Sequence, residues 1–118
     1  MLAYVHQFLQ ALVFTAVVEA VVVLLLSVIL KKGTHATLRT IWTSFVGNAL
    51  TVPYVWFVFP TIFWYSSTLS LYLAEGFAFV MEALIYKFVA KLSWRQAIVF
   101  SFIANATSYF LGKLVFGA

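Results

Sequence analysis

Four apolar stretches, at roughly 8–30, 40–59, 70–90 and 96–115, take up most of the 118 residues. Each is close to the ~20 residues that an α-helix needs to cross a hydrocarbon core of about 30 Å. Helix is the required form, because lipid offers backbone N–H and C=O groups no partner outside their own segment. Composition agrees: only 8% of the residues are charged and 65% are apolar, whereas an ordinary soluble domain carries about 25% charged residues. Mean hydropathy is +1.09. The first stretch has no basic leader and no Ala-x-Ala-like cleavage site, and it is long for a signal peptide, so it reads as a retained span. The expectation is a single all-α membrane domain, residues 1–118, with four transmembrane helices.

Charge placement predicts its orientation. Lys31, Lys32 and Arg39 surround the first turn, with His35 among them, and Lys87, Lys91 and Arg95 surround the third. The middle connection, about 60–69, has no charge, and no basic residue precedes the first span. By the positive-inside rule both basic turns are cytoplasmic and the N- and C-termini lie outside, as in a prokaryotic cytoplasmic membrane. Lys113, near the outer end, departs from this pattern and can snorkel to the interface. The net charge of +4 is this topology signal; no basic run is long enough to track a phosphate backbone, which argues against nucleic acid.

Within the spans lies a repeat. Ser44-Phe-Val-Gly-Asn48-Ala-Leu-Thr51 matches Ser101-Phe-Ile-Ala-Asn105-Ala-Thr-Ser108, and each segment follows a span with a Glu-Ala pair, Glu19-Ala20 or Glu82-Ala83. The chain therefore reads as two copies of one helical hairpin, about 4–59 and about 70–116. Two crossings per unit bring both copies in with the same orientation. Such a parallel repeat implies a pseudo-twofold axis along the membrane normal. Glu and Asn stand further apart in the first copy, and a longer first loop with its Gly33-Thr34 turn signal is the expected reason.

Depth sharpens the pattern. At ~1.5 Å rise per residue, Glu19 lies ~18 Å above Lys31, Asn48 ~14 Å above Arg39, Glu82 ~14 Å above Lys91 and Asn105 ~15 Å above Arg95. Half a hydrocarbon core is about 15 Å, so all four converge near the midplane. Ser44, Asn48 and Thr51 share one helix face, as do Ser101, Asn105 and Ser108. Thr15 lies on the Glu19 face, and Glu75 and Tyr86 on the Glu82 face. Ala104, Ser108 and Gly112 form a small-xxx-small series that admits a neighbouring helix. A bundle would turn these stripes inward.

An ionised carboxylate at the midplane costs at least a few kcal/mol, about 3 on insertion scales, so it needs a proton, a cation or hydrogen-bond donors. The chain has no Cys and no Asp; Glu19, Glu75 and Glu82 are its only carboxylate side chains. Two carboxylates held together resist carrying two charges at once, which suits a proton carrier. With Asn and hydroxyl oxygens they also make a hard oxygen site for Na⁺, Mg²⁺ or Ca²⁺. The plainer reading is that Glu–Asn hydrogen bonds clasp the hairpins together. That suffices for Asn48, Asn105 and the hydroxyls of Thr51 and Ser108. Gln would clasp as well as Glu, so Glu19 and Glu82 point to function. Glu75 lies two turns outward of Glu82 and has Leu12 as its counterpart. It is either a step on a path outward or an interfacial carboxylate.

Other features carry less. Pro53 lacks an N–H and should bend span two and free a carbonyl near Ala49. Tyr54, Trp56, Phe57, Phe59, Phe63, Trp64 and Tyr65 read as an interfacial belt, with a quinone or pigment pocket as the sharper alternative. Trp42 and Trp94 mark the opposite interface. Asn105-Ala-Thr107 matches a glycosylation sequon, but lies mid-span. His6 and His35 have no Cys or Asp partners for a metal. No Gly-x-Ser-x-Gly, phosphate loop, zinc-protease spacing or Asp cluster is present, so no enzyme is implied. The sequence implies no cofactor.

The order Glu19…Asn48-x-x-Thr51-x-Pro53 followed by Glu82…Asn105-x-x-Ser108 resembles, over most of the chain, a group of small four-span prokaryotic membrane proteins of no known activity. The resemblance implies the architecture and supplies no function. Four-span multidrug exporters also carry Glu in span one, but nothing else matches them. Two functions follow from the residues themselves. One is transport or conduction of a proton or small cation through the Glu19–Glu82 cluster, with the chain as a homo-oligomer. The other is an accessory or assembly subunit whose apolar faces dock onto a larger membrane complex.

Overall fold

In the computed structural model, which describes residues 2–116, the four apolar stretches are four long helical spans. The elements are α1 (Leu2–Ile29), α2 (Thr34–Pro53), a π-helical turn (Tyr54–Val58), α3 (Phe59–Ile62), α4 (Ser67–Phe88) and α5 (Trp94–Phe116). α2, the π turn and α3 run on as one span, Thr34–Ile62. The spans form a ring in which α1 packs on α2, α2 on α4, α4 on α5 and α5 on α1. The long dimension of the bundle is 45 Å, close to a bilayer of about 40–45 Å with its headgroup regions.

The connections differ from expectation. The first runs only over residues 30–33, the third over 89–93, so the first loop is not the longer one. The extra residues between Glu19 and Asn48 extend α1 and α2 as helix, and the first hairpin gains additional helical length at its basic end. Both basic turns close through a left-handed residue, Lys31 (φ 56°) and Lys91 (φ 60°). At the first, the Lys32 N–H donates to Ser27 O at 2.9 Å and the Lys31 N–H to Val28 O at 3.0 Å. These bonds use up carbonyls that the end of α1 leaves open. Ser66 Oγ accepts the Leu69 N–H at 3.1 Å and Ser93 Oγ the Gln96 N–H at 3.2 Å, capping the first turns of α4 and α5. Arg39 Nε donates to Ala90 O at 3.0 Å and Lys32 Nζ to Gln96 Oε1 at 3.1 Å, tying the two basic turns together.

Burial is inverted relative to a soluble protein. Large apolar side chains such as Leu25, Val28, Trp42, Tyr72, Phe88 and Phe102 face outward. The interior holds Glu19, Glu82, Asn48 and Thr, Ser and Ala side chains. Small and polar residues line helix contacts where the solvent is lipid, because apolar surface gains nothing by leaving it. A single hydrophobic cluster, Val23, Tyr86, Ala90, Leu92, Ala97 and Phe100, fills the half of the bundle toward the basic turns. Four such helices are compatible with an integral membrane protein.

Candidate functional site

Above that cluster, toward the aromatic end, the ring encloses a cavity of about 90 Å³. Glu19, Glu82, Asn48, Asn105, Thr51, Ser108, Glu75 and Thr15 all line it. The residues singled out by face and depth are thus brought into one space. Glu19 and Glu82 are neighbours, with side-chain exposures of 1% and 2%, so water screens neither.

Their donors are crossed between the hairpins. Ser108 Oγ, on α5, donates to Glu19 Oε2 on α1 at 3.0 Å, while Thr51 Oγ1, on α2, donates to Gly47 O of its own helix at 2.9 Å and lies 3.5 Å from Glu82 Oε2 on α4. Thr51 and Ser108 are equivalent positions of the repeated segment, and so are the two Glu residues. Exchanging the hairpins therefore exchanges the two contacts. Asn48 lies beside Glu19 and Asn105 beside Glu82. Neither polar atom of the Asn48 side chain makes a well-formed hydrogen bond. Asn105 Nδ2 turns back to Ser101 O at 2.8 Å on its own helix. Glu19 Oε1 and Glu82 Oε1 are also without a direct partner, and among the described residues no basic side chain is paired with either Glu. Buried polar atoms left this way mark a place that favours a small polar guest.

Several contributors were not anticipated. Gly47 lets Glu82 pack against α2: a Cβ built there would stand 3.4 Å from Glu82 Cγ. The Gly immediately before Asn48 was the available signal, since a small residue on a buried face marks a close approach. Gly112, the end of the small-residue series, meets Phe14 of α1 in the same way, at 3.7 Å. Val52, Val55, Trp56, Ala78 and Tyr109 complete the wall of the cavity.

The stretch between Pro53 and Pro60 does more than bend. Residues Tyr54–Val58 form a π turn, and Trp56 within it lines the cavity. The Tyr4 hydroxyl donates to Trp56 O, and the Tyr4 ring lies 5.2 Å from that of Trp56. Extra-residue turns of this kind are rare and concentrate at functional sites. The aromatic segment is therefore not a uniform belt. Trp64 and Tyr65 are exposed at 81% and 62%, as belt residues are, but Trp56 faces inward. Trp42 and Trp94 are exposed on the outside of the bundle, and Lys87 Nζ lies 5.7 Å from the Trp94 ring.

Glu75 lines three spaces, one of them a recess of about 250 Å³ between α4 and α5 that also touches Asn105. The others are the central cavity and a larger one of about 460 Å³ at the aromatic end, and Val55 and Trp56 are common to the walls of these two. Toward the basic end lie Tyr86 and Ser44, buried side by side, and then the apolar cluster. The central space thus adjoins open volume at the aromatic end and in recesses between α1 and α5 and between α4 and α5, and packed side chains toward the basic end. A comparison with protein-family models finds no match, and neither do comparisons with curated proteins and with solved structures.

Proposed function

We propose that this protein moves protons or a small cation across a membrane, with Glu19 and Glu82 as the charge-bearing pair. One observation carries the reading: two carboxylates face each other, almost wholly buried, with a hydroxyl beside each and no basic partner among the described residues. A carboxylate at this depth costs several kcal/mol, about 3 or more, and Gln would satisfy the same donors at far smaller cost. A residue whose charge is expensive and whose shape is replaceable is kept for its charge.

Thr51 and Ser108 orient the carboxylates, while Asn48 and Asn105 offer further oxygens, and Glu75 is the step toward the aromatic end. In this reading the basic turns face the cytoplasm and the termini the outside. The path then opens outward and is closed inward by the cluster around Val23, Tyr86 and Phe100. The crossed contacts of Ser108 and Thr51 support a duplicated hairpin with a pseudo-twofold axis. The small enclosed volume favours a homo-oligomer as the working unit.

Reconstitution tests this. Proteoliposomes holding the parent protein should dissipate an imposed proton or Na⁺ gradient faster than empty vesicles. Glu19→Gln and Glu82→Gln should each lower the rate at least about tenfold, the scale for losing a group that carries the transported charge. A parent protein no faster than empty vesicles, co-purifying with other membrane chains, would overturn the proposal in favour of an accessory subunit.

A further inference from the structure

The cavity at the aromatic end has a chemistry of its own. Its volume of about 460 Å³ falls among small-molecule sites, about 300–1,000 Å³. Tyr4, Trp56, Phe63 and Trp64 supply aromatic surface around it, and Ser70 and Glu75 supply polar groups. Among the charged side chains of the described residues, Glu75 is the one in this wall, and it is half-buried. Aromatic faces attract cations through their negative quadrupole, most strongly when the cation is poorly hydrated and water is scarce. A small inorganic ion would give up its hydration shell here for few oxygens. An alkylated ammonium has little shell to lose and buries its methyl groups against the rings.

We propose that this vestibule binds organic cations of the quaternary-ammonium class, their charge against Glu75 and the face of Trp56 or Trp64. The proposal rests on reading Glu75 as the outer carboxylate of the pathway, and it places a selective site ahead of the Glu19–Glu82 pair. The occupant is either a free organic cation or the choline headgroup of a lipid, since this end of the bundle lies at headgroup level. Both present the same trimethylammonium group.

Calorimetric titration reads binding without any flux, so its outcome is independent of the transport assay. The purified chain in nanodiscs of phosphatidylglycerol is titrated with benzyltrimethylammonium and with its uncharged carbon isostere. The expected result is saturable binding of the cation, at least about tenfold tighter than the isostere. Glu75→Gln and Trp64→Leu should each weaken it about tenfold. Trp64 is largely exposed, so its replacement leaves the fold intact and serves as the second variant. Repeating the titration in phosphatidylcholine nanodiscs separates the sources: loss of binding assigns the site to the headgroup, unchanged binding to the free cation. Equal binding of cation and isostere, no saturable binding in phosphatidylglycerol, or affinity untouched by both substitutions would overturn the proposal.

Discussion

Gly47 leaves room for the Glu82 side chain, and the 3.4 Å separation shows how little is spare. Ala there would sit in ordinary van der Waals contact with Glu82. Leu has nowhere to go: Gly47→Leu should destabilise the bundle by about 1–3 kcal/mol, the usual cost of overfilling a packed site. Thermal unfolding in detergent would measure it. Ser108→Ala is a gentler change that removes the donor to Glu19 Oε2. Its expected cost is about 0.6–2 kcal/mol, the range for hydrogen bonds between membrane helices. At this scale the sequence was informative about identity and silent about contacts. Alignment of the two Ser-Phe-x-x-Asn-Ala segments brought out Glu19, Glu82, Asn48, Thr51 and Ser108, because a polar side chain in an apolar span is too costly to face lipid and must turn inward. It could not tell that Ser108 would serve the Glu of the other hairpin, or that Asn105 would bond within α5. Those depend on helix rotation by a few tens of degrees, which spacing does not resolve.

Among the elements, the two basic turns carry measurable strain. Lys31 and Lys91 sit in the left-handed region, at φ 56° and 60°, where an L-residue with a side chain is disfavoured by about 1–2 kcal/mol. Lys31→Gly and Lys91→Gly should each raise stability by about 1 kcal/mol, seen as higher unfolding temperatures. Flux should be unchanged, since both turns lie at the far end from the cavity mouth. Ser93→Ala should cost about 1 kcal/mol by uncapping α5. The four spans themselves were legible, because about 20 apolar residues in lipid have one low-energy form. Their ends were less so. Hydropathy stops where polar residues begin, but α1 and α2 continue as helix through Gln7, Thr34 and Arg39 until a left-handed residue or a cap ends them. The π turn after Pro53 was beyond reach for a related reason. Pro53 removes a partner from the carbonyl near Ala49 and Pro60 one from that of Trp56, but neighbouring helices decide how the freed backbone relaxes, and here Tyr4 of α1 takes the Trp56 carbonyl.

Taken whole, the molecule is a polar slot inside an apolar ring, open at the aromatic end and packed shut at the basic end. Under the proposed function, that asymmetry sets the side from which charge reaches Glu19 and Glu82. The chain has no cysteine, so single cysteines report access without background. Thr51→Cys would place a thiol beside Glu82, and Ser27→Cys would place one in the buried half toward the basic turns. In sealed proteoliposomes of known orientation, a small membrane-impermeant thiosulfonate should modify Thr51→Cys when added on the side of the connection at residues 63–66. It should not do so from the side of the basic turns, and Ser27→Cys should resist from both. Modification of Thr51→Cys from the basic side, or from neither side, would contradict one-sided access to the carboxylate pair.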